Sequence, residues 1–106
     1  MKFGIVLYSD DAETVWNAFR LGNFAVEQGD ETKIFLLAKG VDFQSLDSGR
    51  FNIKGQMNDF VKQRGKIYAC GTCLKMRDAR TPELCDLSTL ADLYGIIKEC
   101  DKVISL

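Results

Sequence analysis

Four short apolar runs divide the chain, and none of them alternates with polar residues. KFGIVLY (residues 2–8), KIFLLA (33–38), KIYAC (66–70) and KVISL (102–106) read as strands buried on both faces. The segments between them carry helical periodicity. Ala12, Val15, Trp16, Phe19 and Val26 make one apolar face after SDD (9–11). Ser9, Asp10 or Asp11 can cap that helix at its positive end, and QGD (28–30) ends it. Ile53, Met57, Phe60 and Val61 recur at i, i+4, i+7 and i+8, and QRG (63–65) closes this second helix. Gly40 breaks the second strand, and residues 41–52 are irregular, read as a short helical turn and a surface loop. GTCLKMRDAR (71–80) reads as a turn and a short helix, and Pro82 marks a loop. Ser88 or Thr89 starts a last helix, with Leu87, Leu90, Ala91, Tyr94 and Ile97 expected inward.

The order βαβαβαβ with apolar strands predicts an α/β fold: three layers, a mostly parallel sheet of four to five strands, and helices on both faces. Right-handed crossovers then put every strand's carboxyl end along one edge, where open sheets of this kind build their ligand sites. The segments expected there are YSDD (8–11), AKG (38–40) and ACGTC (69–73). The whole chain, 1–106, reads as one domain without repeats, linkers or low-complexity tracts.

Composition removes several functions. Fourteen basic against fifteen acidic residues leave a net charge of −1, no surplus to neutralise phosphates, so nucleic acid is not expected as a partner. The apolar runs are too short to span a bilayer, and acid follows the first of them without a small-residue cleavage site. A cytoplasmic protein with reduced thiols is the expectation. There is no histidine, which excludes Cys-His catalysis. SDDAET after the first strand lacks glycine, so nucleotide and flavin cradles are disfavoured.

The chemistry that remains is sulfur. Cys70 and Cys73, in KIYACGTCLKMR (66–77), stand where a strand turns into a helix. Unpaired amides at a helix start, near Gly71, Thr72 and Cys73, are expected to lower a thiol's pKa from its free value. Lys75 and Arg77 add positive charge, and Gly71 permits a tight bend. The C-x-x-C spacing puts both sulfurs on one helical turn, so one thiol can attack a disulfide or persulfide on the other. Ser9 and Asp10 read first as cap and turn residues, although their strand end could line the same recess. A thioredoxin-type reductase carries this motif near the start of its domain, whereas here it lies two-thirds of the way along. Zinc would need Cys85 and Cys100 as further ligands, and they form no second close pair; both read as buried apolar side chains. No metal is expected. A dithiol redox protein and a non-catalytic oligomeric module binding a small ligand or protein both stay open.

YACGTCLKMR (68–77), with STLADLYGIIKECDKVISL (88–106) and KFGIVLYSDD (2–11), resembles the DsrE/YchN-like (DsrE/DsrF-like) family of small sulfur-relay proteins. The likeness covers nearly the whole chain in element order and length. It rests most on Cys70-x-Thr72-Cys73 with Arg77 four residues on. It implies a three-layer α/β fold, assembly into homotrimers or homohexamers, and a sulfurtransferase-like persulfide carrier. Catalytic Cys70 would accept sulfane sulfur from a donor protein for an acceptor protein, with Cys73 as resolving or second carrier thiol; Cys73 as the nucleophile instead stays open, since it sits deeper in the helix start. No cofactor is implied beyond the carried persulfide. Gly71, Thr72, Lys75, Arg77, Ser9 and Asp10 would support the site.

Overall fold

The computed structural model describes residues 1–106. Along the chain run β1 (Lys2–Leu7), α1 (Ala12–Glu27), β2 (Glu31–Leu36), a 3-10 segment (Ala38–Leu46) kinked at Asp42, and α2 (Ile53–Lys62). There follow β3 (Lys66–Cys70), α3 (Gly71–Met76), β4 (Asp86–Ser88), α4 (Leu90–Glu99) and β5 (Lys102–Ser105). All neighbouring strands pair parallel, in the order β4-β3-β2-β1-β5. Successive crossovers step from β1 out to β4, and the last returns past the starting strand. With right-handed connections, α1 and α2 therefore cover one face and α4 the other. The expected α/β architecture is the one observed. β4, only DLS, is an added edge strand after the Pro82 loop, too short to show a pattern of its own.

Caps follow the local chemistry. Asp11, of the three candidates, caps α1: its carboxylate accepts from the Thr14 N–H at 3.0 Å and the Thr14 hydroxyl at 2.8 Å. Ser9 Oγ accepts from the Asp11 N–H at 3.0 Å and so shapes the turn into the helix. Thr89 and Asp92 close a reciprocal capping box at α4.

The core lies mainly between the sheet and the α1–α2 pair. Phe19, Phe35, Phe60, Ile34, Leu36, Ile53 and Ile67 are fully buried. Between α1 and α2, buried Asn23 donates to the Gln56 carbonyl at 3.0 Å and to its side chain at 2.9 Å, leaving the amide satisfied. Phe43 is buried as well, while the rings of Trp16 and Phe51 pack tilted against one another, centroids 5.5 Å apart.

One expectation about α4 is reversed. Leu93 and Ile96 face the sheet, whereas Leu87 (64%), Leu90 (65%), Tyr94 (64%) and Ile97 (47%) are exposed. The helix carries one broad apolar face, Leu90, Leu93, Tyr94, Ile96 and Ile97, so its sequence holds two adjacent candidate inward stripes, and packing takes the other one. No helix is long and apolar enough to cross a membrane.

Candidate functional site

The geometry of β3 puts the cysteine pair at the carboxyl edge of the sheet. Cys70 is the last residue of the strand and the N-cap of α3, with φ −63° and ψ 115°. This extended conformation carries its side chain inward among apolar neighbours, where it is 3% exposed. Cys73, three residues on, is half-buried, and the two residues approach to 3.0 Å. All four cysteines are free thiols.

The hydrogen bonding at the pair differs from the expectation. The Cys70 side chain accepts no capping bond from the first turn of α3. That helix has six residues, too few to build the full partial charge of a longer one. The donor that reaches sulfur comes from another element: the Ala38 N–H, at the exit of β2, points to Cys73 Sγ at 3.2 Å. Ala38 adopts φ +52°, the left-handed region that a non-glycine residue rarely enters. Its neighbours hold it there. The Leu37 N–H donates to the Leu7 carbonyl at 2.9 Å, and the Gly40 N–H to the Leu37 carbonyl at 2.9 Å.

Charge balance at Cys73 runs against easy ionisation. Burial raises its thiol above the ordinary range, and the Cys70 thiol beside it pushes the same way. The Ala38 amide and the Arg77 charge oppose that rise. Arg77 also donates from Nη1 to the Cys73 carbonyl at 3.1 Å, closing the last turn of α3. The lowered pKa expected for the pair is therefore not what the site shows at Cys73. Removing a thiolate from water outweighs one amide and one solvated guanidinium.

The other expected participants are distributed unevenly. Gly71 lies against β4, where a Cβ would come 3.3 Å from the Leu87 side chain and the Ser88 carbonyl. Thr72 and Lys75 are exposed on α3. Ser9 and Asp10 follow β1, two strand spacings (about 10 Å) from β3, and the β2 exit loop intervenes. Ser9 is engaged in the turn to α1. Neither residue is bonded to the thiols.

Cys85 and Cys100 stand apart from the pair. Burial first, and then the adjacent Asp86, push the Cys85 thiol up to about 12. Cys100 sits beside Gly4 of β1, and burial raises it too. No three His, Cys, Asp or Glu side chains gather in a metal-holding group. A groove of about 340 Å³ between the 3-10 segment, α2 and Leu84 includes neither thiol of the pair.

Comparison with known proteins bears on the family and the fold. The model of the DsrE/DsrF-like family matches residues 1–106. The uncharacterized protein MK0008 of Methanopyrus kandleri is 29% identical over 98 residues, spanning 87% of this chain and 81% of its own. The uncharacterized protein MJ0989 of Methanocaldococcus jannaschii is 26% identical over 113 residues, spanning 99% of each. Among solved structures, the ychN protein from E. coli superposes with a TM-score of 0.88 at 23% identity, over 100% of this chain and 99% of that one. A conserved protein of unknown function, BT1422 from Bacteroides thetaiotaomicron, superposes at 0.78 with 16% identity, over 99% and 94%. At these identities the two structures speak for the fold alone.

Proposed function

We propose, from the premise that the chain belongs to the DsrE/DsrF-like family, that it is a persulfide carrier using Cys70 and Cys73. The observation that carries this reading is the approach of Cys70 and Cys73 to 3.0 Å at the strand-exit edge, both free, one sealed and one half-open. A family associated with sulfur relay supplies the chemical class, and the pair supplies the atoms.

The transfer step balances without an outside oxidant. A cysteine thiolate attacks the terminal sulfur of a donor R–S–S–H. A new S–S bond forms to the protein, the R–S bond to the transferred sulfur breaks, and R–S⁻ leaves with the bonding pair. The proton stays on the transferred sulfur. The reverse attack by an acceptor thiol unloads it. Donor and acceptor are sulfur-carrying partner proteins on this reading, and the carried persulfide is the only prosthetic chemistry. A chain with four free thiols fits the reducing cytoplasm.

Treatment with glutathione persulfide followed by intact mass measurement tests it. Wild-type protein quenched at early times, before the pair can expel the sulfur, is expected to gain one sulfur, about 32 Da, and a Cys70→Ser/Cys73→Ser double variant none. An unmodified wild type would instead favour a binding module in which the thiols are incidental.

Assembly is the second part of the proposal. Leu87, Leu90, Tyr94 and Ile97 leave an exposed apolar stripe along β4 and α4, more than a solitary domain usually shows to water. We place the contact of a homotrimer or homohexamer there. Sedimentation equilibrium at micromolar protein is expected to give a multiple of the 11.9 kDa chain mass. A single-chain mass would end this part and leave the thiol chemistry standing.

A further inference from the structure

We infer that Cys73 is the thiol that receives incoming sulfur, and that the backbone amide of Ala38 is the group that positions it. This deepens the persulfide-carrier reading and rests on it. The arrangement reverses the order of use suggested by position along the chain, in which the first cysteine of the pair receives and the second resolves.

Access comes first. A donor persulfide must bring its terminal sulfur in line with the attacking thiolate, and Cys70, at 3% exposed, offers no approach. Cys73 is half-buried and lies one helical turn further out. Cys70 is then placed behind it, at 3.0 Å, as the thiol that acts second.

The amide supplies selectivity for the reactive form. A neutral thiol is a weak acceptor, whereas a thiolate or persulfide anion accepts a charge-assisted bond. A donor fixed on sulfur therefore favours the anion over the thiol and aims its remaining lone pairs outward. The Ala38 amide follows an extended Leu37 at ψ 147°, reaches Cys73 Sγ at 3.2 Å, and belongs to a residue held at φ +52°. The surrounding contacts over-determine that conformation. Gly40 packs on the end of β1 so closely that a Cβ there would overlap the Leu7 carbonyl oxygen, and the Leu37 amide bonds that same oxygen. A left-handed alanine maintained by neighbours at a nucleophile is where strain is spent on function. Arg77 opposes burial at Cys73 from the other side, on α3.

The second step follows from the pair. With no acceptor present, the Cys70 thiol attacks Cys73 Sγ in Cys73–S–SH. A Cys70–Cys73 disulfide forms, the bond to the sulfane sulfur breaks, and that sulfur leaves with the bonding pair and the two protons as hydrogen sulfide. Two thiol sulfurs are oxidised and one sulfane sulfur is reduced, so the electrons balance within the site.

Two measurements test the assignment. After glutathione persulfide, Cys70→Ser is expected to take up one sulfur and keep it longer than wild type, which releases sulfide. Cys73→Ser is expected to take up none; uptake equal to wild type in that variant would overturn the role of Cys73. The amide is tested by replacing the Leu37–Ala38 peptide bond with an ester, in protein assembled by ligation at Cys73. The ester removes one N–H and keeps the side chain. Iodoacetamide labelling of Cys73 in a Cys70→Ser background is expected to move its pH midpoint up by about one unit, a tenfold slower rate below the midpoint. Ala38→Gly, which keeps the N–H and removes the strain, is expected to leave the midpoint in place. An ester with an unmoved midpoint, or a glycine variant that shifts as far as the ester, would overturn the role of the amide. Labelling needs no sulfur donor, so a wild type that takes up no sulfur would end the carrier reading while this second measurement still decides the part of Ala38.

Discussion

Gly40→Ala is expected to lower stability by about 3 kcal/mol or more, with a melting temperature lower by roughly 10 °C or more. The added Cβ would overlap the Leu7 carbonyl oxygen and stand 2.9 Å from its carbon. Both are main-chain atoms at the carboxyl end of an interior strand, so no rotamer change relieves the overlap. The loop must lift instead. Lifting it breaks the Leu37 N–H to Leu7 carbonyl bond at 2.9 Å and draws Val41 and Phe43, both buried, away from the core. The same displacement carries the Ala38 amide off Cys73. Thermal unfolding would therefore fall together with the rate of Cys73 labelling. A Gly40→Ala protein as stable as wild type would show that the contact between this loop and the end of β1 is looser than described.

That coupling explains why only part of the site was legible in the sequence. The pair was visible because C-x-T-C follows a short apolar run directly, and a parallel sheet brings such junctions to one edge. The depth of each sulfur was not. It depends on the extended backbone at Cys70, which turns the first thiol inward, and on how the β2 exit loop passes beside the second. Ala38 gave no signal of its own, since its positive φ is imposed by Gly40 against Leu7 rather than by any preference of alanine. Gly40, expected to break the second strand, stands four residues past the end of β2 at Leu36, inside the 3-10 segment, and its packing role needed the tertiary neighbour. The amides expected from the Gly71 turn were a local inference, and the bond that forms is non-local, across 35 positions of sequence.

The fold was legible for a related reason. Strands inside the sheet announce themselves as apolar runs, as β1, β2 and β3 do; β5, expected to be buried too, is an edge strand with Val103 and Ile104 only half-buried and its other residues exposed. α1 and α2 each carry one dominant apolar stripe, so their inward faces followed from spacing, with Val15, Phe19, Met57 and Phe60 buried as expected. α4 carries two stripes. Leu90, Tyr94 and Ile97 match a helical period as well as Leu93 and Ile96 do, and periodicity alone cannot choose between them. The choice is made by how the Ser88–Thr89 junction and β5 anchor the helix ends on the sheet. The stripe left outside is then a property of the assembled molecule, which is why it argues for association.

Phe60→Ala is expected to cost about 4 kcal/mol, the middle of the range for a buried aromatic, and to lower the melting temperature by ~15 °C or more. The ring is fully buried and meets Phe19 edge-on, with centroids 6.4 Å apart. Its two flanks are lined by Gly22, where a Cβ would come 3.1 Å from the ring, and Gly65, where one would come 2.5 Å from it. Glycines have no side chains with which to fill the space. The walls of the cavity are helix and turn backbone, so collapse is restricted and most of the lost contact remains lost. The damage is confined to the layer between α1, α2 and the sheet, while the Ala38–Cys73 contact lies at the carboxyl edge. Cys73 labelling in the folded variant, measured well below its midpoint, is therefore expected to match wild type. Gly40→Ala weakens both fold and thiol, and Phe60→Ala weakens the fold alone. If Phe60→Ala slowed labelling as well, the β2 exit loop would be held by the aromatic core rather than by the Leu7 carbonyl.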